Sequence, residues 1–234
     1  MVRAYTLNDL ESQNNYRSNG FYNTYYNSGS RPSVLAMMFP GFKIQSFTFI
    51  MSCTLVVIQL IDIILSNNYY WNRFIYSVKY DSGLLVQEGK VWCLITCIFF
   101  HANFLHLLFN VLGLFNLGFI TEAVYGSLPT LCIYMITGIL ANLFSTAISP
   151  LVLSVGASGA ILGFIGVRGA QIALFWDHLV NREIVIWSYI INVSFMLLFN
   201  LVSPGVNTLI HLLGLIIGFL LGLSYPKSSF TLPP

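Results

Sequence analysis

The chain has 234 residues, 56% hydrophobic and 8% charged, with 10 Lys and Arg against 8 Asp and Glu and a formal net charge of +2. Soluble domains carry about 25% charged residues, so this deficit excludes a water-facing surface over most of the molecule. With a mean hydropathy of +0.77, the chain reads as an all-α protein that crosses a membrane several times; its balanced charge, with no basic block, excludes nucleic acid as a partner.

Residues 1–43 form a polar tail rich in Asn, Ser, Gly and Tyr, with Arg3, Arg17 and Arg31, ending at Lys43. It lacks apolar periodicity, which predicts disorder. No signal peptide is visible, so the first span is expected to act as the targeting signal. A membrane domain is expected over 44–225 and a short tail over 226–234. The first span runs from Ile44 to Leu65, with Asp62 near its exit and expected at the interface. About 30 residues follow, carrying Tyr69, Tyr70, Trp71, Tyr76, Tyr80 and Trp92. Such aromatics suit the headgroup layer, so this long loop between the first two helices is expected to lie partly in the membrane. Further spans are expected near 101–120, 128–148, 157–176, 184–203 and 206–224. That makes a bundle of six helices, each of about 20 residues, enough for about 30 Å of hydrocarbon.

Lys and Arg set the expected orientation. With the N-terminus inside, the inner segments hold Arg3, Arg17, Arg31, Lys43, Arg182 and Lys227, and the outer loops hold Arg73, Lys79 and Lys90. This bias puts both termini in the cytoplasm. The secretory pathway or plasma membrane is preferred to the mitochondrion. The four cysteines, Cys53, Cys93, Cys97 and Cys132, show no zinc-type pairing, and no metal or cofactor is called for. His178, beside Asp177, reads as an interfacial residue. No internal repeat or matched pair of broken helices is present, which argues against a small-solute transporter.

Polar side chains at membrane depth are costly and need a reason. Ser158 sits in Gly156-Ala157-Ser158-Gly159 at the start of an apolar helix. Gly159, Gly163 and Gly166 fall on one stripe beside it, at about 100° per residue. In the last span His211, Gly214, Gly218 and Gly222 form a second stripe. Facing glycine stripes would bring two helices backbone to backbone and Ser158 within reach of His211. The stripes alone are better read as plain packing, with Ser158 bonded to a backbone carbonyl. His211 favours the chemical reading, because a neutral imidazole is a suitable base for a serine hydroxyl. No Asp or Glu is placed to orient it, which suggests a dyad.

His106 and Asn110 are four apart and share a helical face, whereas His101 is five before His106 and is expected in the loop before the helix. His106 and Asn110 suit either an interhelical clamp or donation to a developing oxyanion, helped by the Ser158 N–H. Gly156 would allow a tight turn that leaves this N–H accessible. Gly-x-Ser-x-Gly is absent, because Ala160 stands at the second glycine.

Taken in order, His101-x4-His106-x3-Asn110, Gly156-Ala157-Ser158-Gly159 and His211-x2-Gly214-x3-Gly218 resemble the rhomboid family of intramembrane serine proteases. Gly118, Glu122 and Gly126 resemble its Gly…Glu…Gly pattern, Tyr134 and Gly138 its third-span Tyr-x3-Gly, and Trp92 the Trp of its Trp-Arg loop motif. The resemblance covers about 90–222 and implies a six-helix rhomboid-like bundle. It implies Ser158 as nucleophile and His211 as its general base. It also implies an oxyanion hole of Asn110, His106 and the Ser158 N–H, with His101 and Glu122 as structural residues. The implied substrates are transmembrane segments of other membrane proteins, cleaved within the lipid bilayer near its outer face. A non-proteolytic member that binds transmembrane helices for quality control or trafficking is the alternative. Two positions depart from the family pattern: Cys93 replaces the Arg of Trp-Arg, and Leu162 stands where many members have an aromatic ring.

Overall fold

The computed structural model describes residues 43–176, 182–202 and 207–224. The polar tail before Lys43, the tail over 226–234, and Asp177 and His178 lie outside the described residues. Among the described residues the chain is helical, with one isolated antiparallel bridge, between Asp81 and Ser154.

Helix α1 (Phe47–Leu65) starts where Ser46 Oγ accepts the Phe49 N–H at 3.1 Å. Short helices follow: α2 (Tyr69–Lys79), capped by Asn68, α3 (Gly83–Gln87), capped by Ser82, and α4 (Cys93–Thr96), which runs into a 3-10 turn over Cys97–Phe99. Helix α5 (Phe104–Gly113) passes through a π-helical turn, Leu114–Gly118, into α6 (Phe119–Tyr125). The core is completed by α7 (Ser127–Ile148), α8 (Ser158–Leu174), α9 (Arg182–Val202) and α10 (Thr208–Ser224).

Among the described residues three helical stretches are long and apolar enough to cross a membrane: Phe47–Leu65, Phe104–Tyr125 and Ser127–Ile148. Ser158–Leu174, Val185–Met196 and Thr208–Ser224 are shorter apolar helices. The second stretch lies a few residues later than the expected 101–120. Hydropathy locates the apolar run, but caps fix its ends. Asn103 Oδ1 accepts the His106 N–H at 2.9 Å and sets the start. Gly126, at φ +85°, turns the chain into α7 in a conformation other residues resist.

The burial pattern is inverted for a protein in water. On α7, Thr130, Thr137, Asn142 and Ser145 are buried while Leu128, Ile136, Phe144 and Ile148 are exposed. On α1, Ser52, Gln59 and Asp62 are buried while Val57, Leu60, Ile61 and Ile64 are exposed. Polar groups turned inward and aliphatic groups outward fit lipid as the surrounding solvent. The chain is a membrane protein.

Helix α8 is the centre of the bundle. Its residues Ser158–Val167 are buried without a break, and it packs against α5, α7, α9 and α10. The glycine stripes make the α8–α10 contact. A Cβ on Gly214 would lie 3.2 Å from Gly159 Cα, and one on Gly218 would lie 2.7 Å from Gly163 Cα. Only glycine lets backbones meet this closely. Glu122 ties helix ends together at one side of the bundle. Its carboxylate accepts the N–H groups of Phe47 at 2.7 Å and Thr48 at 2.9 Å, and the Ser127 hydroxyl at 2.5 Å.

Asp62, expected near the interface at the end of the first span, is enclosed by protein. It is buried, pairs with Lys79 at 2.6 Å and accepts the Trp71 indole N–H at 3.2 Å. Helix α2 folds back over the end of α1 and covers the carboxylate, which its place near a span end did not foretell.

Candidate active site

Ser158 is the first residue of α8, and the chain reaches it through Gly156, at φ +124°. The Gly156 N–H donates to the Cys97 carbonyl at 3.0 Å, which pins the turn to the segment before α5. A Cβ on Gly156 would lie 2.7 Å from His106 Cε1 and 2.8 Å from its Nε2. The position therefore needs glycine twice, for its backbone angle and for the imidazole lying on it. Among the described residues no side chain caps the N-terminus of α8. Its first N–H groups and the positive end of its dipole are left beside Ser158, an arrangement that favours negative charge there.

Helix α10 carries His211 to the serine. His211 Nε2 lies 2.5 Å from Ser158 Oγ, and both residues are buried. A neutral imidazole with Nε2 unprotonated accepts the serine hydroxyl proton in this geometry. Gly214 and Gly218 set the helix separation that makes the distance possible.

Helix α5 supplies the third element. His106 and Asn110 are both buried, and one Asn110 Nδ2–H donates to the His106 carbonyl at 2.8 Å. The amide has a second N–H to give. The His101 ring meets the His106 ring edge to face, with centroids 5.2 Å apart. His101 precedes α5 and is fully buried, so it backs His106 from outside the helix. Leu162, one turn beyond Ser158, is buried.

The structure thus brings Ser158, His211, Gly156, His106 and His101 to one place, with Asn110 on the next turn of α5. Glu122 and Trp92 lie elsewhere. Trp92 is half exposed and donates its indole N–H to the Ser77 carbonyl at 3.1 Å, which joins α4 to α2. Among the described residues no group of three or more His, Cys, Asp and Glu could hold a metal ion.

Sequence reasoning passed over Asn207. Its Nδ2 donates to Ser145 Oγ and Ser154 Oγ, each at 2.8 Å, and its Oδ1 accepts the Leu209 N–H at 3.1 Å. One side chain joins α7, the serine loop and the start of α10. An Asn directly before an apolar run is a helix-start signal that could have revealed it. Asp81 was also missed; it is fully buried and pairs through its backbone with Ser154.

The family model for the Rhomboid domain matches residues 88–228, more than half of the chain. The chain is 31% identical over 214 residues to Rhomboid-like protease 1 of Toxoplasma gondii, covering 82% of this chain and 68% of that one. It is 29% identical over 211 residues to Rhomboid-like protease 3 of the same organism, covering 88% and 80%. It is 33% identical over 145 residues to RHOMBOID-like protein 1 of Arabidopsis thaliana, covering 61% of this chain but 36% of that relative. The matched segment contains the Ser158–His211 pair, His106, Asn110 and both glycine stripes, and the chain belongs to the rhomboid family of intramembrane proteases.

Proposed function

We propose that the chain is an intramembrane serine endopeptidase that cleaves transmembrane segments of other membrane proteins with a Ser158–His211 dyad. The observation that carries this reading is the 2.5 Å approach of His211 Nε2 to Ser158 Oγ inside the bundle. A buried serine and histidine from different helices, held together by two glycine stripes, are more than packing requires.

In this reading His211 takes the Ser158 proton as Oγ attacks the scissile carbonyl carbon. The carbonyl oxygen becomes negative and is met by the Ser158 N–H, the second N–H of Asn110 and the His106 ring. Collapse of the tetrahedral intermediate breaks the C–N bond, and His211 passes its proton to the leaving amine. Water, activated by His211 in turn, hydrolyses the acyl-enzyme. A substrate helix must unwind locally to offer its carbonyl, so helix-weakening residues should favour cleavage.

The wider architecture belongs to the same proposal. Residues 44–225 form the catalytic domain as six spans, with the three shorter apolar helices crossing between the longer ones. The segment over α2–α4 lies partly in the membrane, both termini face the cytoplasm, and 1–43 and 226–234 are tails. The secretory pathway or plasma membrane is the proposed compartment.

The test uses purified full-length protein in detergent or vesicles. A fluorophosphonate probe should label the wild type and not Ser158→Ala, and the wild type should cleave a model transmembrane substrate. Substrate capture with neither labelling nor cleavage would replace this reading by that of a non-proteolytic helix-binding member.

A further inference from the structure

The segment between α1 and α5 is fastened to the loop that carries the serine. Asp81 N–H donates to the Ser154 carbonyl at 2.8 Å, and Ser154 N–H returns a bond to the Asp81 carbonyl at 2.8 Å. Two residues on, a Cβ at Gly83 would lie 2.6 Å from Pro150 Cα, so the strap and the loop touch backbone to backbone. The Cys97 carbonyl holds Gly156, two residues before Ser158. Residues 149–157 are thus clamped at three points from one side, and Asn207 holds Ser154 from the other.

The Asp81 side chain lies under this clamp. Asp81 is fully buried, its Oδ1 accepts the Cys93 thiol at 3.5 Å, and its Oδ2 has no partner among the described residues. The titratable groups around it are few. Cys93 on α4 and Cys97 in the 3-10 turn are buried thiols, and the Cys97 sulfur accepts the Asn142 amide of α7 at 2.9 Å. Lys79 is held by Asp62 at 2.6 Å, and the Tyr80 ring packs on Tyr76. Residues 149–157 carry no titratable side chain. Among the described residues no cation is paired with Asp81, and an ionised carboxylate buried without one is costly.

We infer that Asp81 is a positioning residue for the nucleophile: as the neutral acid it keeps the 81–83 strap docked on the 149–157 loop, and its ionisation loosens that loop. Burial pushes the Asp81 carboxyl up to about 7 and the Cys93 thiol up to about 11, which fits an uncharged pair. The direction follows from linkage. A carboxyl raised above its ordinary 3.8 favours the docked state fully below about pH 4. That preference is lost as pH rises through about 7 and changes no further above it. The clamp therefore weakens between about pH 4 and about pH 7. The link to catalysis rests on the proposed Ser158–His211 chemistry; the loosening of the loop does not.

Amide hydrogen exchange on the full-length protein tests this directly. The Ser154 and Gly156 amides, compared at each pH with Ala141 in the core of α7, should lose up to about 10²-fold in protection between about pH 5 and about pH 8. Asp81→Asn, neutral at every pH, should remove that loss. Cleavage should follow, with wild-type kcat falling relative to Asp81→Asn as pH rises from about 5 to about 7 and KM unchanged. A Ser154 to Ala141 ratio that stays flat with pH in the wild type overturns the inference, and needs no variant to fold. Absence of labelling at Ser158 would instead remove the protease reading and leave the exchange result to decide the clamp.

Discussion

Gly214 of α10 packs on the backbone of Gly159 of α8, the residue after the serine; a Cβ added at Gly214 would lie 3.2 Å from Gly159 Cα and closer still to its carbonyl group. His211 is three residues before Gly214, less than one turn away. The helix separation at this glycine pair therefore sets the Ser158–His211 distance. Gly214→Val should push the helices apart by about 1 Å and cost about 10²-fold in the rate of probe labelling at Ser158. Gly222→Ala, farther along the same stripe, should cost stability in a thermal melt and much less labelling. Equal labelling of Gly214→Val and wild type would separate the glycine contact from the chemistry.

The proposed oxyanion donors make a second prediction. His106→Ala and Asn110→Ala should each lower kcat by about 10²–10³-fold with little change in KM, since they act on charge that develops only in the transition state. Asn110 also bonds to the His106 carbonyl on its own helix. A thermal melt is therefore needed beside the kinetics, and a loss of kcat matched by global unfolding would reassign Asn110 to structure.

The elements that carry the proposed chemistry could be read from residue spacing because they follow the helical period. Stripes at intervals of three and four foretold that α8 and α10 meet, and the five-residue gap foretold that His101 stands outside the helix bearing His106. What could not be read was set by contacts distant in sequence. The partners of Asp62 came from α2, which folds over it with Lys79 and Trp71. Asp81 sits in a plain turn sequence and gains its backbone partner from a loop more than 70 residues away. Helix ends were misjudged where a cap or a positive-φ glycine overrode hydropathy, as at Asn103 and Gly126.

Glu122 predicts a loss of stability without loss of chemistry. Its carboxylate accepts two backbone N–H groups and one hydroxyl in a buried position. Glu122→Ala would leave the first N–H groups of α1 without their acceptor, at about 2–3 kcal/mol. Glu122→Gln keeps one acceptor oxygen and should fall between. Cleavage per folded molecule should stay near wild type for both, measured by active-site titration with the serine probe. A variant that folds fully but fails to label would place Glu122 in the catalytic path.

Asn207 separates helix capping from loop positioning. Its Oδ1 caps α10, while its amide reaches Ser145 and Ser154, the latter in the loop before the serine. Asn207→Ser retains a capping oxygen but is too short to reach both hydroxyls. Asn207→Ala loses both functions and should cost about 1 kcal/mol more in stability than Asn207→Ser. Both variants free Ser154 from its outer contact, so both should slow labelling of Ser158 several-fold by a similar factor, since misplacement of a reacting group is costly whatever its cause. The pattern to measure is equal slowing with unequal melting temperatures. If the rate of labelling tracks melting temperature across the two variants, Asn207 serves only to start α10, and the serine loop is held by the contacts of Asp81, Gly83 and Cys97.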